Sequence, residues 1–397
     1  MQPNKKIAII GGGASGMTAA IAAKKTNSCC DVTIFEKMDR VGKKLLATGN
    51  GRCNLSNINA DDISYYHCKN DFVKNALEQF NLKKTLKFFA NLGMMTKTVD
   101  ERIYPYSMQA STVLDALRLS CDRLSVTTVI NTPVESIKNM TVNGEKFDKI
   151  IIAAGGCASP HLGSDGSGYK LLTEFGHTNT QVFPALTQIK TENTYTKQLK
   201  GIKIEGQISI MHGRVPLRTE HGEILFTEYG LSGPPVLSLS RIASSQSQEK
   251  KLTVSIDLMP EYSIEKLIKT AIKMLAASKT AGDLLRFILN KRLAEVILKY
   301  ANIPANSPIP DYLAEVLKAV KNFTIPVEGV MPFKNAQVTA GGISTDEFNP
   351  GTLQSKINRN IYAAGEILDV DGECGGFNLQ WAFSSGFVAG NHAATTY

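Results

Sequence analysis

Gly11, Gly13 and Gly16 fall in the spacing G-x-G-x-x-G, and Glu36 follows twenty residues after the last of them. The chemistry of that set is dinucleotide binding. The first glycine permits a tight turn, the second lets backbone approach a pyrophosphate, and the third lets a helix pack on a strand. Free N–H groups and the partial positive charge at the helix start face the phosphates, and the Glu36 carboxylate accepts from ribose hydroxyls. A second set lies near the other end: Gly365-Glu366, then Asp369 and Asp371, then Gly375-Gly376. A strand ending in Gly-acid can set a carboxylate on a cofactor's sugar-like chain. A helix starting beside Gly375-Gly376 can aim its positive end at a developing negative charge. That suits a flavin ring, which is anionic at N1 when reduced. A third stretch, KMDRVGKKLLATGNGRCNLSN, is too polar for a core strand and too glycine-rich for a long helix. Its glycines allow backbone to lie against a bound cofactor.

Each set needs elements to hold it. Lys5 to Ile10, the Ala-rich run from Met17 to Lys25 and DVTIFE make a βαβ unit around the glycine turn. From Asp71 to Gly93 apolar residues recur at helical spacing, and a further helix spans about Ser111 to Cys121. Residues 126 to 153 have the pattern of a β-meander, with Asn143-Gly144 as a hairpin turn and a buried strand ending at Ala153. A second glycine cluster, Gly163, Gly166 and Gly168, precedes a helix. Composition changes near Pro184. Residues 187 to 258 alternate as short strands (QISIMH, RVPLRT, EILFTE, LTVSIDL), as in a small antiparallel barrel or sandwich. Residues about 261–320 are helical with a proline-rich break, strand character returns near Phe323, and the α/β style resumes by Gln337. The expected architecture is a discontinuous Rossmann-like α/β domain, 1–186 plus 336–397, interrupted by a β-barrel and helical insert at 187–335.

The totals narrow the classes. The chain has 397 residues, 43% hydrophobic and 20% charged, which describes a globular protein of two or three domains. No apolar run approaches a membrane span and the first residues enter a strand directly, so the expected compartment is the cytoplasm. Seven cysteines include no C-x-x-C, which supports neither a redox pair nor a metal site. The net charge of +8 is dispersed, and no basic groove interleaved with aromatics marks nucleic-acid binding.

The segments GGGASGMTAA, RVGKKLLATGNGRCNLSN, RIYPYSMQAS, AAGGCASPHLGSDGSGYKLL, FTEYGLSGPPVLSLS, AGGIS and IYAAGEILDVDGECGGFNLQWAFSSGFVAG resemble the bacterial HI0933-like (YhiN-like) flavoproteins, a family that includes the bile-acid-reducing BaiN type. The resemblance covers essentially the whole chain. It implies FAD on a Rossmann-like domain interrupted by a barrel-and-helical insert. It implies a pyrophosphate held by Gly11, Gly13, Ala14, Ser15 and Gly16, and an adenosine ribose held by Glu36. Lys37, Lys44, Thr48, Gly49, Asn50, Arg52, Cys53 and Asn54 would line the path from pyrophosphate to flavin. Ala154 and Gly155 would flank the adenosine half. Gly365, Glu366 and Asp371 would contact ribitol or flavin, with Gly375, Gly376, Phe377 and Asn378 by the ring. Members often carry Thr-His where this chain has Thr227-Glu228.

The activity implied is an FAD-dependent oxidoreductase of small or steroid-like molecules, exchanging hydride between flavin N5 and an activated carbon, with NADH or NADPH as transient donor. No second dinucleotide fingerprint is present for that donor. Arg52, Tyr104, Glu228 and Tyr229 are the candidates for polarising substrate or moving the proton; FAD contact, packing and a solvated loop are their alternatives. Two other readings stay open: a flavoprotein acting on or binding RNA, and a FAD-binding sensor without turnover.

Overall fold

The computed structural model describes residues 4–246, 251–275 and 277–395. The chain divides into two units, one running to Phe183 and resuming at Gln337, the other Pro184–Ala336.

In the first unit, strand β1 (Lys6–Ile10) leads through the glycine turn into helix α1 (Ala14–Thr26) and strand β2 (Asp31–Phe35). Strands this rich in Ile and Val are buried on both faces, and a parallel sheet covered by helices is the arrangement that does this. The sheet runs Ile361–Ala363, Lys149–Ile152, β1, β2, Thr127–Val129, with every pair parallel. The last helix, Phe377–Thr395, lies along α1. Gly386 rests on the backbone of Ser15 and Gly390 on that of Ala19, where a methyl group would overlap the carbonyl oxygens. Backbone contact replaces side-chain interdigitation along this helix pair.

The meander expected over 126–153 is only partly present. Asn143-Gly144 does turn a hairpin, with both residues at positive φ (48° and 86°), joining Thr141–Val142 to Glu145–Lys146. The flanking strands leave it: Thr127–Val129 pairs with β2 and Lys149–Ile152 with β1. Alternating apolar residues announce a strand without naming its partner.

The second unit holds a closed antiparallel barrel. Its strands run in the order Ile189–Thr191, Gly230–Ser232, Val215–Phe226, Lys203–His212, Leu252–Asp257 and Phe323–Val330. RVPLRT and EILFTE are one strand rather than two. A helix, Pro234–Gln246, interrupts the strands; its Ser-rich sequence hid it, while Pro-Pro at the start suits a first turn whose N–H groups need no partner. Helices Ile264–Met274, Ala281–Ile288, Lys291–Tyr300 and Ile309–Lys321 follow. Leu, Ile, Val and Phe side chains form this core, Phe226, Ile297, Leu317 and Phe323 among its fully buried members. The fold is α/β: a Rossmann-type parallel sheet with an inserted six-stranded antiparallel barrel and a helical subdomain.

Candidate active site

The nucleotide end is built first. Gly12 N–H and Met38 N–H each donate to the Glu36 carboxylate at 2.8 Å. Both oxygens are thereby aimed, and each keeps lone-pair capacity for further donors. No side chain caps α1, and a Cβ at Gly13 would meet no atom, so the first N–H groups of the helix face open space. At Gly16 a Cβ would overlap the Gly11 carbonyl, which is the close strand-to-helix approach the fingerprint requires. A cavity of about 370 Å³ opens here, lined by Gly11, Phe35, Glu36, Lys37, Ala154 and Gly168 among others. Lys37 belongs to this wall, paired with Asp165 at 2.5 Å and bonded to Ser167. Gly155 adjoins it, with Ser164 Oγ 2.8 Å from where a Cβ would stand.

The next stretch is a backbone cradle. Gly49 and Asn50 are both left-handed (φ 56° and 55°), and Cys53 has φ 56°. Left-handed non-glycine residues are costly and concentrate where a ligand or a tight turn demands them. Cys53 N–H donates to Thr48 O at 3.0 Å, and burial pushes the Cys53 thiol up to about 12. It is an inert packing thiol. Asn54 Oδ1 is buried without a hydrogen-bond partner.

The C-terminal set converges on the same region. Lys44 Nζ lies 2.6 Å from Glu366 Oε2, and Thr339 N–H donates to the other oxygen at 2.8 Å. Gly365 is fixed between Ser385 Oγ, which accepts its N–H, and Trp381 Nε1, which donates to its carbonyl at 3.1 Å. A Cβ at Gly365 would come within 2.6 Å of Ser15 Oγ. Gly376 (φ 107°) is left-handed, and a Cβ there would strike Ser56 O and stand 3.0 Å from Asn54 Oδ1. Asp371 is buried, in a two-residue strand opposite His67. The side chains of Phe377 and Asn378 are committed to the protein itself. Phe377 stacks on Tyr65 at 4.5 Å, and Asn378 clamps Gly372 through its N–H and carbonyl.

Of the four residues weighed for proton chemistry, Arg52 and Tyr104 come together: the guanidinium carbon lies 5.6 Å from the Tyr104 ring centroid. Glu228 and Tyr229 belong to the second unit. Glu228 is exposed and 2.6 Å from Lys200, which holds its carboxyl below the usual range. Tyr229 sits in a turn closed by Thr227 bonding Gly230 O. Sequence reasoning missed Asn57, whose Nδ2 donates to Gly375 O at 3.0 Å. It also missed Gln380, a fully buried hub bonded to Ser56, Phe80, Thr85 and Ser384. Polar residues at such positions look like surface in a sequence.

A family model described as the HI0933-like protein Rossmann domain matches residues 5–392. The chain belongs to that family. It is 40% identical over 405 aligned residues to a 3-dehydro-bile acid delta(4,6)-reductase of Clostridium scindens, covering 98% of this chain and 99% of the relative. It is 27% identical to a ribosomal RNA dihydrouridine synthase of Haemophilus influenzae, covering 96% of each. Among solved structures, a 3-ketosteroid delta1-dehydrogenase from Sterolibacterium denitrificans shares the fold at TM-score 0.50 and 13% identity, over 99% of this chain and 100% of that one. Membership makes the protein an FAD-dependent oxidoreductase. The residues fit that cofactor: an uncapped helix start, an aimed Glu36 and an adjoining cavity suit a dinucleotide.

Proposed function

We propose that this protein reduces a carbon–carbon double bond conjugated to a carbonyl in a steroid-like small molecule, with NADH or NADPH as donor. The observation that carries this is the end-to-end 40% identity to a reductase of that bond type. FAD, when bound, supplies the two-electron hydride carrier. The chain's residues do the rest. Gly11, Gly13, Ala14, Ser15 and Gly16 hold its pyrophosphate, Glu36 its ribose, and the Lys44–Glu366 pair and Asp371 its central chain. Gly375 and Gly376, packed against Asn57 and Ser56, would set the start of the last helix beside the ring. Arg52 polarises the substrate carbonyl, and Tyr104, beside it, supplies the proton. Glu228, held as a carboxylate by Lys200, is a poor donor and serves the loop's charge. The seven free cysteines support a reducing, cytoplasmic setting. Among the described residues no helix is long and apolar enough to cross a membrane.

A second reading has an observation of its own: relatives at 27% and 28% identity are named ribosomal RNA dihydrouridine synthases. The bond saturated in dihydrouridine is also conjugated to a carbonyl, so the two readings share chemistry and differ in what carries the double bond. Anaerobic reduction with NADH or NADPH, followed by reoxidation with a 3-oxo-diene steroid or a uridine-containing ribosomal RNA fragment, tests both. Reoxidation by the steroid alone is the expected result. Reoxidation by the RNA alone would replace the first reading with the second.

A further inference from the structure

One ion pair joins two walls of the cavity beside Glu36. The first wall is the chain leaving β2, Glu36 and Lys37, with residues 132–135 alongside. Thr132 N–H donates to Glu36 O and Asn131 N–H to Met38 O, which fixes that wall. The second wall is the turn from Gly163 to Ser167 and the helix it starts, Ser167–Thr173. Lys37 leaves the first wall and lands on the second: its ammonium bonds Asp165 Oδ1 at 2.5 Å and Ser167 Oγ at 3.2 Å. Asp165 Oδ1 also accepts the Ser167 N–H at 3.0 Å, so the pair grips the helix start as well as the turn.

The pair stands at the rim. Lys37 and Asp165 both line the cavity, yet their side chains are 25% and 45% exposed. The walls come close here: a Cβ on Gly163 would stand 3.1 Å from Met38 Cγ and 3.8 Å from Lys37 Cε. Among the described residues, no other side-chain hydrogen bond or ion pair crosses between the two walls. A bond this exposed contributes little to the fold and is screened by salt. It suits a contact that opens and recloses.

We infer that Lys37 and Asp165 form a clasp over the adenosine half of FAD, and that the clasp opens each time the cofactor enters or leaves. A dinucleotide seated with its ribose on Glu36 lies between the two walls that Lys37 joins. The inference rests on that placement of the ribose, taken from the function proposed above. A clasp slows entry and exit alike, because opening is a step common to both. A direct contact with the cofactor slows exit alone. Measuring both rates tells the two apart.

Release is read on the FAD-loaded protein as exchange with excess radiolabelled FAD, and binding as the stopped-flow change in flavin fluorescence when FAD meets the apoprotein. Lys37→Gln and Asp165→Asn should each speed release and binding by about fivefold, the scale of one exposed ion pair. Affinity should shift by less than about twofold. Asn at 165 still accepts the Ser167 N–H, so the turn keeps its shape. The double variant should match either single one, since each breaks the same bond. Raising the ionic strength from about 0.01 M to about 1 M should speed release from the wild type more than from the double variant. Faster release with unchanged binding would make Lys37 a cofactor contact and overturn the clasp. So would wild-type rates in either single variant, or additive effects in the double. Unchanged affinity in Glu36→Ala would instead sink the ribose placement, which rate effects at Lys37 and Asp165 leave untouched.

Discussion

The two units solve opposite packing problems. In the second, Phe226, Ile297, Leu317 and Phe323 fill a barrel-and-helix core with large side chains. In the first, the critical contacts are made by missing side chains: Gly16 against Gly11, Gly386 against Ser15, Gly390 against Ala19 and Gly376 against Ser56. A cofactor site needs backbone amides and carbonyls brought close to a ligand, and only small residues allow it. The second unit should therefore suffer from atoms removed, and the first from atoms added.

Phe323→Ala tests the first half of that contrast and should have the largest effect. The ring is fully buried and packs edge-on against Tyr300 at 5.0 Å. Its loss should cost about 3–5 kcal/mol, read from chemical denaturation by circular dichroism. A cost near 1 kcal/mol would mean that the barrel collapses around the gap and is not a side-chain-filled core.

Gly390→Ala tests the other half, and its sign decides. On an exposed helix the change stabilises by about 1 kcal/mol. Here the methyl group meets the Ala19 carbonyl, so the variant should lose about 1–3 kcal/mol, the usual range for overpacking. Trp381 is the only tryptophan and lies buried in the first unit, so its emission reports on that unit. A later Trp381 transition in the variant would refute the close-approach account.

The same contrast explains what the sequence disclosed. The fingerprint, Glu36 and the Gly365–Gly376 block were legible because backbone approach constrains residue type locally. The barrel was legible as strands but not as a closed ring: Phe323–Val330 joins Leu252–Asp257 and Ile189–Thr191 across intervening helices. Strand partners so distant leave no local mark. Asn57 and Gln380 were invisible for a related reason. Their hydrogen bonds join residues about three hundred positions apart, and nothing beside them in the chain shows it.

Glu36→Ala carries the comparison to ligand binding. Removing the carboxylate deletes the ribose acceptor and orphans the N–H groups of Gly12 and Met38. FAD affinity should fall by about 1–3 kcal/mol, and the apoprotein should lose stability as well. Glu36→Gln keeps an acceptor and should recover part of both. Isothermal titration with FAD reads the first effect and Trp381 emission the second. Unchanged affinity in Glu36→Ala would assign the ribose to another acid.

The smallest effect expected is a pH dependence confined to the first unit. His177 is buried, with Nδ1 2.9 Å from Glu347 and Nε2 2.9 Å from Ser355 Oγ. It fastens the segment just before Phe183 to the segment after Gln337. Ser355 Oγ already accepts the N–H groups of Ile357 and Asn358, so it donates its own proton to Nε2. The neutral ring, with its proton on Nδ1 toward Glu347, satisfies every group; a second proton on Nε2 finds no free lone pair. Burial lowers the His177 pKa below its ordinary 6.5, and Glu347 offsets this only in part. His392, also in the first unit, is lowered by burial too, whereas His212 and His221 of the second are exposed. A histidine whose folded pKa is depressed contributes its full stability above about 6.5. As pH falls below that value the unfolded chain takes up protons that the folded one refuses, and stability drops. Urea denaturation followed by Trp381 emission at several pH values from neutral downward should show that decline. His177→Gln, which keeps one donor and one acceptor but binds no proton, should flatten most of it. An identical slope in the variant would move the acid sensitivity to His392, Glu347 and the other carboxylates.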